Sequence, residues 1–219
     1  NSDVFYVVSN HETDTAALYT YDLSTESFEE MLFHHPQYDS TSVATVWRPE
    51  INRYEVVGYV YGGASVEVEF ISPRERDLFD AIDAALPNAN NNIISRSDDE
   101  NFIIIRSDGP RTPPSYFLLT NKSQLDYLGS ANPDLTADEL ADTTWEYFTA
   151  RDGRSMPALI TRPNGEGPFP VVMMPHGGPV ARDYWGFDLW AQTLASRGYL
   201  VVQPQFRISS GFGRDHLQA

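Results

Sequence analysis

The chain has no cysteine and a single lysine, Lys122, among 219 residues. Without thiols it forms no disulfide, no thiolate metal site and no cysteine nucleophile, while the compartment stays open between cytoplasmic and exported. Fourteen of its fifteen cationic side chains are arginine, set against 31 acidic ones, and the formal net charge is −16. So strong an acidic excess repels a phosphate backbone and argues against nucleic acid as a partner. No run approaches the ~20 apolar residues of a membrane span, and no basic-then-apolar leader follows Asn1, so the segment carries no signal peptide. A start without Met fits an excised piece of a longer soluble protein.

What is present is an ordinary globular composition, 41% apolar, long enough for one large domain or two small ones. From Asn1 to about Asn121 the chain reads as short strands separated by turn residues. Val4–Ser9, Ala17–Leu23, Glu30–Phe33, Val43–Arg48, Arg53–Tyr61 and Val66–Ser72 follow one another, and Gly62-Gly63 marks a tight turn between the last two. Ile93–Arg96, Phe102–Arg106 and Ser115–Thr120 continue the series. Strands of this length at this spacing predict a sandwich or propeller blades. One helix interrupts them: Pro73 stands at its start, Glu75 and Asp77 load its first turn, and Leu78, Phe79, Ile82, Ala85 and Leu86 recur at helical spacing.

A polar joint from Asn132-Pro133 through Asp142 places a domain boundary near residue 140. Beyond it the pattern changes. Thr144–Ala150 and Met156–Arg162 predict a hairpin about Asp152-Gly153, and Val171–Met174 predicts a buried strand. Asp183–Arg197 reads as an amphipathic helix with Phe187, Trp190, Ala191 and Leu194 on one side, closed by Gly198. Tyr199–Gln203 is a second apolar strand, so strand, helix and strand make one βαβ unit.

The first strand of that unit runs into Pro175-His176-Gly177-Gly178-Pro179. Two glycines let the backbone turn tightly with its N–H groups bare, and bare amides at a strand end suit an anion; the same residues also serve a plain tight βα turn. A His-Gly-Gly loop supplies the oxyanion hole of lipases and esterases. With Arg151-Asp152-Gly153, Leu194-Ala195-Ser196-Arg197-Gly198-Tyr199, and Phe206-Arg207 followed by Gly211-Phe212-Gly213, this turn makes an ordered set across Thr144–Gly213. The set resembles the start of the catalytic domain of the prolyl oligopeptidase family of serine peptidases, in its acylaminoacyl-peptidase and dipeptidyl-peptidase-like branch. The resemblance extends faintly upstream through Glu75–Leu86, Leu86-Pro87 and Ser97-Asp98-Asp99-Glu100. It implies a β-rich fold of partial β-propeller blades over residues 1–140, followed over residues 141–219 by the beginning of an α/β-hydrolase domain, truncated before its nucleophile. One position departs from the family pattern. Ile208 stands where such proteins usually have glycine, and a β-branched residue is strained there if the backbone needs a positive φ.

In an α/β-hydrolase the triad runs Ser, Asp or Glu, His, with the serine on a Gly-x-Ser-x-Gly elbow. That elbow is absent: Gly63-Ala64-Ser65 continues as Val66-Glu67, and Ser209-Ser210-Gly211 lacks the leading glycine. None of the triad is therefore expected in this chain. The oxyanion-hole candidates are the N–H groups of Gly177 and Gly178, one such donor being worth ~3 kcal/mol in a transition state. His176, adjacent to them, resembles the position where some family members carry an oxyanion-binding tyrosine; hydrogen-bonded structure is the plainer reading. Tyr184 and Trp185 either wall a substrate pocket or simply pack.

No cofactor or metal site is expected. His34-His35 in a strand point to opposite faces, His11-Glu12 lacks a helical zinc motif, and Asp98-Asp99-Glu100 lacks a calcium loop's alternate-residue spacing. Asn121-Lys122-Ser123 is a formal glycosylation sequon, and Gly211-Phe212-Gly213 is too short for a nucleotide loop. The leading expectation is a serine peptidase segment that acts on peptide bonds of short peptides by acyl transfer. The alternatives are an esterase or lipase-type α/β-hydrolase and a non-catalytic β-propeller interaction module. Tyr199–Gln203 is expected to lie at an uncovered sheet edge, so that the chain is either part of a longer polypeptide or covers that edge by self-association.

Overall fold

A computed structural model describes residues 4–219. The chain divides into two compact units, one comprising residues up to 76 with 177–182 and 206–219, the other residues 77–176 with 183–205.

The first unit holds two three-stranded antiparallel sheets. β1 (Val4–Ser9), β2 (Ala17–Asp22) and β3 (Ser27–Phe33) are ordered as in the chain, as are β4 (Ser40–Arg48), β5 (Arg53–Gly62) and β6 (Val66–Phe70). Ala17, Leu18 and Tyr19 of β2 are buried, while β4 is bent by a register shift between Ala44 and Thr45. Gly58 is fixed by close approach, because a Cβ there would come within 2.7 Å of Val68 Cγ1 and 2.8 Å of the Glu69 carbonyl across the β5–β6 pair. At the exit of β4, Arg48 is buried with Glu75, whose helix α1 (Pro73–Ala85) starts on the predicted proline.

The second unit contains a four-stranded antiparallel meander, β7 (Asn90–Arg96), β8 (Phe102–Gly109), β9 (Thr112–Thr120) and β10 (Gln124–Ser130). Its core forms where Leu78 and Ile82 of α1 meet Ile103, Ile105 and Leu119. Ile103 and Ile105 are fully buried with the less buried Ile104 between them, as a period of two requires. A second sheet follows the one-turn 3₁₀ segment Ala137–Glu139, whose N-cap Thr136 forms a capping box with Glu139. This sheet comprises β11 (Asp142–Thr149), β12 (Ser155–Arg162), β13 (Val171–Met173) and β14 (Leu200–Pro204), ordered β11-β12-β14-β13. β11 and β12 are the expected hairpin, with Gly153 at φ 89° in its turn. β13 and β14 pair in parallel through α2 (Leu189–Ala195), which is the expected βαβ unit. The fold class is thus the expected one, β-rich blade-like sheets followed by a mixed sheet with its crossover helix.

Several local expectations are corrected. Strand β14 is interior: β12 pairs with it antiparallel on one side and β13 parallel on the other. The exposed edge is instead β13, with Val171 and Met173 open to solvent. The helix predicted over 183–197 is only seven residues long, because Asp188 is its N-cap and accepts hydrogen bonds from the amides of Trp190 and Ala191. Trp190, expected on the buried side, is 74% exposed, whereas Ala191 is buried. Finally, β10 adds a strand that the period-two pattern did not reveal, and β7 begins at Asn90, three residues before the expected Ile93.

Candidate functional site

The turn is built at the end of an edge strand. β13 pairs with β14 through Met173, and the amide of Met174 extends the ladder one step to the Val202 carbonyl at 2.8 Å. Pro175 has no N–H to continue it, and the chain leaves the sheet at His176. Gly177 and Gly178 are both exposed. Gly178 has φ 128°, a region that side chains rarely adopt, and a Cβ there would come within 3.1 Å of Ala181 Cβ and 3.2 Å of the Val180 amide nitrogen. At Gly177 a Cβ would meet open space, so what distinguishes that position is access rather than crowding.

Beyond the glycines, the Ala181 amide donates to the Pro179 carbonyl at 2.9 Å, closing the turn. The Ala181 carbonyl accepts from the Ser210 amide at 2.9 Å. Arg182 then reaches β5: Nη1 donates to the Gly62 carbonyl at 2.7 Å and Nη2 to the Gly63 carbonyl at 2.5 Å. The guanidinium lies over the Phe212 ring, 4.3 Å from its centroid. Gly211, at φ 90°, makes room for it, since a Cβ there would sit 2.6 Å from Arg182 Nη1. Gly211→Ala is therefore expected to lower stability by about 1–3 kcal/mol through backbone strain and a displaced guanidinium, read as a lower urea midpoint at unchanged slope.

Ile208 resolves the departure noted in the sequence. It does adopt a positive φ, 77°, in a β-branched residue. Hydrogen bonds on both sides hold it there, from its own amide to the His216 carbonyl at 3.1 Å and from the Ser209 amide to the Phe206 carbonyl at 2.9 Å. His216, buried, adds an Nε2 contact to the same Phe206 carbonyl at 3.0 Å. The strained residue is thus over-determined by its surroundings rather than relieved by a different loop shape.

Within the second unit, Trp185 is half-buried and its indole N–H donates to the Thr143 carbonyl at 2.8 Å, while Asn90 Nδ2 donates to the Trp185 carbonyl at 2.7 Å. Tyr184 beside it is exposed. Asp183 is tied to fully buried Gln205, which accepts its amide and donates to its carbonyl. Among the described residues no group of three or more His, Asp or Glu side chains is placed to hold a metal ion. Nor is any helix among them long and apolar enough to cross a membrane. His34 is hydrogen-bonded to Thr15 Oγ1 at 2.8 Å, and His35 stacks between Tyr38 and Tyr61. Burial, then the neighbouring His34, pushes the His35 pKa below its usual value.

Sequence reasoning missed Arg182, Gln192 and Gln205, whose partners lie tens to more than a hundred residues away. The one local hint for Arg182 is a cation immediately after a glycine-proline turn.

These features define a class before they suggest a relative: blade-like antiparallel sheets preceding a βαβ sheet whose first strand ends in a His-Gly-Gly-Pro turn. No protein-family profile matches the chain. It is 34% identical over 131 residues to dipeptidyl aminopeptidase BIII of Pseudoxanthomonas mexicana, covering 56% of this chain and 19% of that protein. Its fold is similar to that of a puromycin-hydrolyzing peptidase of Mycobacterium tuberculosis, with a TM-score of 0.69 at 20% identity over 100% of this chain and 34% of the other. A prolyl endopeptidase structure gives the same TM-score of 0.69 at 13% identity, over 100% and 32% of the two chains. The resemblance to the prolyl oligopeptidase family is borne out by these proteins. The chain spans about a fifth of the length of the curated relatives it matches.

Proposed function

We propose that the chain is a segment of a serine peptidase of the prolyl oligopeptidase family, which hydrolyses peptide bonds of short peptides by acyl transfer. Residues 1–140 are then a partial propeller that filters access, and residues 141–219 open the hydrolase domain. The observation that carries this reading is the His176–Pro179 turn at the exit of β13, in a βαβ sheet preceded by blade-like sheets. In that role the N–H of Gly177 or Gly178 meets the oxyanion of the tetrahedral intermediate, together with the N–H that follows the nucleophile. The nucleophile, its acid partner and its base come from outside these residues. His176 supports the turn, and Tyr184 and Trp185 border the peptide side.

Since the triad is absent from the chain, residues 1–219 alone are expected to give no serine-inhibitor-sensitive turnover of p-nitroanilides or p-nitrophenyl esters. Such turnover by the purified chain contradicts the assignment. For the full-length protein the test is a comparison of peptidyl and N-acyl-aminoacyl p-nitroanilides with p-nitrophenyl esters of the same acyl groups. Efficient amide turnover supports the peptidase. Ester turnover alone favours an esterase, and no turnover of either favours a non-catalytic propeller module.

A further inference from the structure

Among the contacts of Arg182 are two charge-assisted hydrogen bonds and one ring contact that lie within the first compact unit. Its two nitrogens hold the carbonyls of Gly62, the last residue of β5, and Gly63, the first of the turn into β6. The face of the same guanidinium rests on Phe212, which Tyr38 meets edge-on at 6.1 Å and His216 approaches at 5.1 Å. The backbone around it is cross-linked as well. Asp39 donates to the Gly211 carbonyl at 3.0 Å and accepts from the Gly62 amide at 3.3 Å, while Ser210 donates to Ala181 at 2.9 Å. Three distant stretches of chain thus converge on one side chain placed four residues after Gly178.

Only arginine fits this position. A planar guanidinium presents donors in a fixed fork that chelates two carbonyls while its face stacks on an aromatic ring. Lysine keeps the charge but satisfies one carbonyl at a time and loses the stacked plane. Burial adds weight, since the half-buried group donates to the carbonyls of two buried glycines.

We infer that Arg182 is a positioning residue for the Gly177-Gly178 turn: by clamping the loop to the β5–β6 turn it fixes the direction of the N–H groups assigned to the oxyanion. This rests on the peptidase reading above. The loop between Gly178 and Arg182 is short, so a shift of the guanidinium is passed to the glycines with little slack. Misplacement of catalytic donors by about 1 Å costs on the order of 100-fold in rate. The β5–β6 turn of a blade-like sheet therefore sets the geometry of the acyl-transfer site through one side chain.

The experiment uses the full-length protein with Arg182→Lys, Arg182→Met and Phe212→Leu, and Arg197→Ala as an exposed-arginine control. For a peptidyl p-nitroanilide, Arg182→Lys is expected to lower kcat about 10- to 100-fold with KM changed less than about threefold, because an oxyanion donor acts in the transition state and not on the bound substrate. Arg182→Met is expected to lower kcat at least as far, and Phe212→Leu by a smaller factor. Amide exchange over residues 177–182 and 61–65 is expected to quicken about tenfold or more in Arg182→Lys, while β8 and β9 keep wild-type protection. That pattern separates local release of the loop from global instability, so a poorly folding Met variant leaves the Lys and Leu variants to decide. Wild-type kcat in Arg182→Lys, or unchanged exchange in the loop, overturns the clamp while the peptidase reading stands. An inactive wild-type protein overturns the peptidase reading, and the catalytic role of Arg182 falls with it.

Discussion

Arg48→Met is expected to destabilise the protein by about 3–5 kcal/mol, the usual cost of removing one partner from a buried ion pair. Arg48 is 5% exposed and Glu75 1% exposed. The guanidinium donates from Nη2 to Glu75 Oε1 at 2.9 Å and from Nε to Glu55 Oε2 at 2.7 Å. Burial works against the charged arginine, but the hydrogen bonds to Glu55 and Glu75 more than offset it and hold its pKa above the usual value. Without the cation, the Glu75 carboxylate is left buried in the first turn of α1, at the point where the helix meets the end of β4. The penalty is therefore that of an uncompensated charge, far more than the lost contact area of one side chain. Arg48→Met combined with Glu75→Leu is expected to recover most of the loss, since two apolar groups of similar volume leave no orphaned charge. Urea unfolding of the two variants and wild type reads both effects, and a single variant as stable as wild type contradicts the account.

Gln192→Leu is expected to cost about 3–5 kcal/mol for a different reason, the orphaning of several buried backbone groups. Gln192 is 5% exposed on α2. Its Oε1 accepts the Ala141 amide at 2.8 Å, and its Nε2 donates to the carbonyls of Ala141 and Pro110, both at 2.9 Å. Leucine matches the volume but satisfies none of the three, so packing is kept and polar pairing is lost. The same three bonds tie the helix of the βαβ unit to the β8–β9 turn and to the entry of β11, which explains why residues on both sides of position 140 share one compact unit. Gln192→Glu keeps one acceptor, loses both donors and buries a charge, and is expected to be no better than leucine. Thermal and urea unfolding check the pair; a loss below about 1 kcal/mol for Gln192→Leu would mean that water replaces the amide.

Much of the fold was legible where the cause is local. β1 begins and ends at the predicted residues, and α1 starts on Pro73 with Glu75 in its first turn, because alternation and capping are written within a few positions. The turn after β13 was legible for the same reason: an apolar run, then proline, then two glycines. Where the cause is distant, the sequence was silent. β10 escaped notice because a register shift between Tyr127 and Gly129 breaks its alternation. The helical pattern over 183–197 overruns α2 because Asp188, its cap, sits inside a continuing apolar pattern. The pairing with β12 that makes β14 interior joins residues some forty positions apart, such as Thr161 and Val201, beyond the reach of any local pattern. The hydrogen bonds of Arg182 to β5 and its turn span 120 and 119 residues, a separation at which no local periodicity carries information.

The central claim is that these residues serve a nucleophilic serine lying outside them. The most direct test treats the full-length protein with an organophosphonate serine reagent and locates the adduct by peptide mass mapping. The account predicts one stoichiometric adduct, on the serine of a Gly-x-Ser-x-Gly elbow beyond Ala219, with loss of amide hydrolysis in parallel. Amide hydrolysis that persists without any adduct, or an adduct on a serine within residues 1–219, would contradict it.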